Sequence, residues 1–173
     1  MMLFSCENSM EKVKQFIDYD TISGVMAYDV VIERSDSGML VAKLTAPVMR
    51  RLEHDKADSS MLEFPKGFKI FMFENGDTAQ SSIIRGDYGV HYDKKEMVVA
   101  KHNVVVENVQ TQEVLETETL FWNQKKKKIY TSCFVKISSP DKIIFGDSLT
   151  ANENFSRREI YGIRATIELN EDE

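Results

Sequence analysis

Ile84-Arg85-Gly86-Asp87-Tyr88-Gly89-Val90-His91-Tyr92-Asp93, then Met97-Val98-Val99-Ala100, then Val104-Val105-Val106: this stretch is echoed twice further along the chain. The second copy is Glu116-Thr117-Glu118-Thr119-Leu120-Phe121-Trp122-Asn123, Ile129-Tyr130-Thr131 and Phe134-Val135-Lys136-Ile137. The third is Phe145-Gly146-Asp147-Ser148-Leu149-Thr150-Ala151-Asn152, Ile160-Tyr161-Gly162-Ile163 and Ala165-Thr166-Ile167. Tyr92, Trp122 and Ala151 hold equivalent places, each followed by Asp or Asn. The period is roughly 30 residues, in the range of a repeated supersecondary unit.

Each copy reads as a strand, a charged turn, a second strand, a kink and a third short strand. The turns are Asp93-Lys94-Lys95-Glu96, residues 123–128 and residues 152–158. The flanking runs are rich in Val, Ile, Tyr and Thr, which suit a pleated, half-buried surface. Val104 and Val106 stand two apart, as do Val135 and Ile137, so each pair shares one face of its strand. No 3.6-residue apolar stripe crosses the region. Hairpins with one apolar face must fold over to cover it, which predicts an all-β sandwich, jelly roll or curled solenoid.

Upstream, Met61 to Phe73 is the most apolar segment, and Asn75-Gly76 after it signals a hairpin whose return runs from Thr78 to Arg85. Phe68, Ile70 and Met72 share one face; Phe71 and Phe73 share the other. Two apolar faces suit a central strand buried on both sides, or a face that meets lipid or a partner. Further back, Tyr28 to Ala46 reads as a hairpin turning at Ser35-Asp36-Ser37-Gly38, with Gly38 free to take a positive φ. Pro47 argues for an edge or a bulge. The charged run from Arg50 to Ser60 reads as a loop.

The chain has 173 residues, 42% of them hydrophobic, enough for one domain with a real core. Its net charge of −6 argues against a general nucleic-acid binder, so no nucleic-acid partner is expected. The two cysteines, Cys6 and Cys133, make neither a disulfide framework nor a zinc pattern. Residues 1–23 read as a tether, with Val13, Phe16 and Ile17 at helical spacing, residues 24–169 as the β domain, and 170–173 as an acidic tail. Leu3-Phe4-Ser5-Cys6 resembles the end of a lipoprotein signal, in which the cysteine is acylated; the plain alternative is an ordinary terminal cysteine.

Chemistry is sparse. His54, His91 and His102 are isolated, and His91 with Asp93 on one strand face lacks further ligands for a metal. The sequence carries no Gly-rich phosphate loop, GxSxG or HExxH pattern. No catalytic residue, metal or cofactor is therefore expected. Gly86-Asp87 and Gly146-Asp147 recur at equivalent places and read as bends. Lys125-Lys126-Lys127-Lys128 is either a solvated turn that discourages edge pairing or an attractor of phosphate headgroups.

The order of these features resembles the LptC family of lipopolysaccharide export proteins. A hairpin turns at Asp36-Ser37-Gly38. Phe64-Pro65 and an apolar strand with Asn75-Gly76 follow, and then come repeats of the Gly86-Asp87, Tyr92-Asp93, Val104-Val105-Val106 type. The likeness runs from about Tyr28 to Leu169. It implies a curled antiparallel sheet, the β-jelly roll or β-boat, whose apolar interior holds acyl chains without catalysis. It implies lipopolysaccharide as cargo, an inner-membrane ABC transporter as donor and the periplasmic bridge protein LptA as acceptor. Gly38 then falls on the transporter side and Gly146 towards the bridge. Many members carry a transmembrane helix at the start, and no apolar run here approaches the ~18 residues that needs. The resemblance therefore places the chain on the periplasmic face of the inner membrane of a Gram-negative bacterium, held by a lipidated Cys6.

By alternation, the interior candidates are Val98, Ala100, Val104, Val106, Ile129, Val135 and Ile137. These same residues would equally form a closed core. In that case the chain would be a membrane-tethered scaffold for envelope proteins, with no lipid cargo. A third class, a metal-dependent hydrolase, would need His91, Asp93 and His102 together.

Overall fold

Among the described residues the alternating runs become fourteen strands in a single antiparallel sheet. A computed structural model describes residues 25–52, 60–74, 80–153 and 155–169. Cys6, the stretch with Val13, Phe16 and Ile17, His54, Asn75-Gly76 and the acidic tail lie outside the described residues. The strands are β1 (Met26–Asp36), β2 (Met39–Leu52), β3 (Met61–Phe64), β4 (Phe68–Phe73), β5 (Gln80–Gly86), β6 (Tyr88–Tyr92) and β7 (Met97–Asn108). They continue as β8 (Glu113–Asn123), β9 (Lys128–Thr131), β10 (Val135–Ser138), β11 (Lys142–Gly146), β12 (Ser148–Asn152), β13 (Arg158–Tyr161) and β14 (Ala165–Glu168).

The pairing registers divide this sheet into two walls. In the first wall the end of β1 pairs with the start of β2, followed by β4, β5, the end of β7, the start of β8, β10, β11 and β14. In the second wall the start of β1 pairs with the end of β2, followed by β3, β6, the start of β7, the end of β8, β9, β12 and β13. Long strands cross from wall to wall, and short ones stop there and restart.

Every crossing has a local cause, and together the crossings form a row of corners. In β1 Asp29 takes φ 50° opposite Pro47, where the ladder skips a pair. Pro47, which has no N–H to donate, thus sits where the ladder lacks a pair; the register is the same on both sides and shifts only between Arg34 and Ser35. β3 and β4 are parted by Pro65-Lys66-Gly67, β5 and β6 by Asp87. In β7 His102 and Asn103 take φ 61° and 50°, and the ladder to β8 slips there past Glu118. Ser132 to Phe134 part β9 from β10, Asp147 parts β11 from β12, and Gly162 to Arg164 part β13 from β14. The Gly-Asp bends are equivalent in detail: the Asp87 N–H donates to the His102 carbonyl at 3.0 Å, and the Asp147 N–H to the Tyr161 carbonyl at 2.9 Å. The repeat is therefore a bent hairpin, and the bends in register give the sheet its curl.

The core fills the space between the walls. Phe64, Ile70, Ile84, Leu115, Leu120, Trp122 and Leu149 are buried there together. Phe68, Ile70 and Met72 of β4 face inward as expected, while Phe71 and Phe73 on the outer face are half-buried. β4 is central, between β2 and β5, but it is not buried on both sides. Two boundaries differ from the sequence reading. The first hairpin is longer than Tyr28 to Ala46. Arg50 to Leu52, read as loop, extend β2 and pair with Met61 to Glu63 of β3. Alternating backbone hydrogen bonds outweigh the charge of two adjacent arginines whose side chains can reach solvent.

Candidate functional site

Between the walls, in the N-terminal half of the sheet, lies an apolar cavity of about 260 Å³. Ile32 of β1, Ala42 and Leu44 of β2, and Ile70 of β4 line it from the first wall. Leu62 and Phe64 of β3, Val98 of β7 and Trp122 of β8 line it from the second. Alternation along each strand delivers these side chains to one face. The rim is polar: Arg34, His91, Asp93 and Gln124 also border the space.

The rim groups are joined to one another. His91 Nδ1 lies 3.2 Å from Asp93 Oδ1, and its Nε2 lies 3.2 Å from Gln124 Oε1. The Ser60 hydroxyl donates to Asp93 Oδ2 at 3.1 Å. Arg34 reaches from β1 across to the second wall, 4.0 Å from Glu153 and 6.0 Å from the centre of the Trp122 ring. Trp122 Nε1–H donates to Glu153 Oε1 at 2.8 Å. Lys127 stands 4.0 Å from Asp36, again bridging the turn of the second wall to β1. β1 thus lies over the cavity as a strap held by exposed and half-exposed charges.

Deeper in, the packing is tight. The next space, bounded by Phe68, Ile84, Ala100 and Leu120 among others, is about 10 Å³, too little for a water molecule to occupy with room to spare. All seven interior candidates point into the shared core. Val98 is the one that reaches the larger cavity; Ala100 touches the small void. Val104, Val106, Ile129, Val135 and Ile137 are almost completely covered. Phe155 joins them, fully buried from within the polar turn between β12 and β13. The sequence reading passed over it; a single aromatic among Asn, Glu, Ser and Arg was the available signal. Ile32, Leu44 and Leu62 were also passed over, because their strands lie outside the repeats.

At the C-terminal part of the sheet the walls are clamped. The two terminal nitrogens of Arg158 donate to the two carboxylate oxygens of Glu113, joining β13 to the first residue of β8. Gly38 occupies the two-residue turn between β1 and β2, with Ser37 at φ 53° and Gly38 at φ 81°, the left-handed pair that twists with a hairpin. Gly146 is buried at the corner between β11 and β12, where a Cβ would stand 2.5 Å from Ile160 Cγ2. The three residues of the hydrolase reading are not brought together. His102 Nδ1 lies 2.6 Å from Glu118 Oε1 at the corner row, whereas His91 and Asp93 stand at the far end of the second wall. Among the described residues no three His, Cys, Asp or Glu side chains could hold a metal ion.

Among the described strands the sheet does not close on itself. β1 bounds it at one end, where Val25, Met26, Tyr28 and Val31 are exposed. β13 and β14 bound it at the other, where Tyr161, Ile163, Ile167 and Leu169 are exposed. No helix among the described residues is long and apolar enough to cross a membrane. No curated protein matches the chain significantly. The family described as lipopolysaccharide-assembly, LptC-related matches residues 4–168, a span that contains all fourteen strands. A curled, open sheet of bent hairpins with an apolar cleft, matched over nearly its whole length, belongs to the LptC-related family of lipopolysaccharide assembly.

Proposed function

We propose that the chain is a non-enzymatic lipopolysaccharide carrier and docking subunit. It receives lipopolysaccharide from the inner-membrane ABC transporter and passes it to the periplasmic bridge protein LptA. The cavity beneath β1 carries this reading. Burying an acyl chain is worth about 0.8 kcal/mol per methylene, and an apolar cleft with a polar rim lets sugars stay in water while a chain enters. At ~30 Å³ per water molecule, 260 Å³ corresponds to roughly nine waters, room for part of one chain. Taking more requires the walls to part. The contacts of β1 with Glu153 and Lys127 are exposed or long pairs of the kind worth about 0–1 kcal/mol, so parting is cheapest at that side. Cargo then enters near β1, by the transporter, and leaves towards β13 and β14, by the bridge. Gly38 and Gly146 are assigned to those two docking ends, and the seven interior residues to the lipid path. A lipidated Cys6 would hold the domain at the periplasmic face of the inner membrane.

The scaffold reading draws on a different observation, the closed packing around Val104, Val106, Val135 and Ile137. In-cell photo-crosslinking separates the two. A photoreactive residue is placed at Val98 or at Val106, and adducts are blotted for lipopolysaccharide. An adduct at Val98 that depends on transporter ATP hydrolysis is expected, with a second at Val106 if the walls part along their length. No adduct at Val98 in a folded, normally abundant variant would leave a scaffold without cargo.

A further inference from the structure

Two basic turns of an acidic chain meet at one end of the second wall. Lys125 to Lys127 lie in the β8–β9 connection and Lys128 opens β9, while Arg157 leads into β13 and Arg158 opens it. Lys128 pairs with Asn152 of β12, and Arg158 pairs with Ala151 on the other side of the same strand. The two turns are therefore about two strand spacings apart, roughly 10 Å. Between them lies a concave basin of about 850 Å³, floored by Thr150 and Asn152. Of its cations, Arg158 is engaged by Glu113 and Lys127 stands 4.0 Å from Asp36. Lys126, Lys128 and Arg157 have no carboxylate partner among the described residues. The one acid in the lining, Glu159, already accepts the Tyr161 hydroxyl at 2.6 Å.

We propose that this basin docks onto phosphate groups of an anionic lipid surface. Its neighbours favour a membrane over a nucleic acid or an acidic peptide. Tyr130, Tyr161 and Ile163 are exposed beside it, and aromatic and apolar side chains set among cations suit the headgroup layer. The site lies apart from the cavity and does not depend on lipopolysaccharide being the cargo.

The test is co-sedimentation of the full chain with vesicles of phosphatidylcholine, with and without phosphatidylglycerol. Binding is expected to require phosphatidylglycerol and to weaken with salt. Lys126→Ser, Lys128→Ser and Arg157→Ser are each expected to weaken it about fivefold, and all three together about a hundredfold. The single variants keep the test available if the triple variant folds poorly, which circular dichroism would reveal. Equal binding by the wild type and the variants would overturn the proposal. So would displacement by inorganic phosphate beyond that caused by chloride at equal ionic strength, which would assign the basin to free phosphate instead.

Discussion

Replacing Glu113 by Gln should unfold this domain at markedly lower urea concentration. Glu113 begins β8 in the first wall, and Arg158 begins β13 in the second. Their side chains are 13% and 19% exposed, and the pairing is two-pronged, with the Thr111 hydroxyl also donating to Glu113 at 3.0 Å. Removing one member of a fully buried pair costs about 3–5 kcal/mol, because the other charge stays behind without compensation. Both groups here keep some water, which reduces the expected loss to about 2–3 kcal/mol. For a chain of this size that corresponds to a melting temperature about 5–10 °C lower. The assay is equilibrium unfolding in urea, followed by the fluorescence of Trp122, the single tryptophan. The slope should be unchanged and the midpoint should move. Changing both partners, Glu113→Leu with Arg158→Met, should return stability to within about 1 kcal/mol of wild type, since the orphaned charge is gone. A loss below about 0.5 kcal/mol in Glu113→Gln, typical of a surface pair, would refute the claim that this pair clamps the walls.

Gly146→Ala should destabilise by about 1–3 kcal/mol through overpacking, because the new Cβ meets Ile160 Cγ2 at 2.5 Å and the Tyr161 carbonyl at 3.2 Å. Adding Ile160→Ala should recover part of that loss in the same urea assay; no recovery would mean that the strain lies elsewhere. Tyr88 donates to Glu63 Oε1 at 2.8 Å, and burial together with that bond pushes its pKa up to about 12. The folded chain then keeps a proton that the unfolded chain releases near pH ~10. This stabilisation is whole below pH ~10 and is lost as pH rises through about 12. Tyr88→Phe should remove the highest tyrosinate step from an ultraviolet titration and flatten the alkaline fall in stability; an unchanged titration would count against the Glu63 contact.

The bent-hairpin repeat was legible because it is written in a period of two within a period of roughly 30. Val98, Ala100, Val104 and Val106 all face the core because they stand an even number of residues apart, and the irregular pair His102 and Asn103, being two residues, leaves the alternation in phase. The corner itself is visible as a break in the apolar run. What escaped was anything set by pairing across the sheet. Ile32, Leu44 and Leu62 line the cavity only because β1 to β3 fold over the repeats, and nothing local to those strands announces it. Arg50 and Arg51 were read by their charge, whereas their backbone decided their place. Phe155 is buried from a turn of polar residues, where composition outvotes a single side chain.

An open sheet normally protects its ends. Lysine, proline or a covering helix on the outer strands prevents other chains from adding to them. Among the described residues the end strands carry neither device: β1, β13 and β14 contain neither lysine nor proline. Every residue of β14 is exposed, Ile167 among them, and Tyr28 and Val31 are exposed on β1. The lysine run sits instead on a turn between two interior strands, where no edge needs defending. Lysines placed away from the edges, and apolar side chains placed on them, are what strand addition by partners at both ends would require. The same distribution leaves Lys126 and Lys128 available to an anionic surface. The corner row makes both ends part of one curl. On the proposed function, a partner that extended the sheet at β1 or at β13 and β14 would therefore extend the apolar cleft as well, and docking and cargo transfer would then be one geometric event.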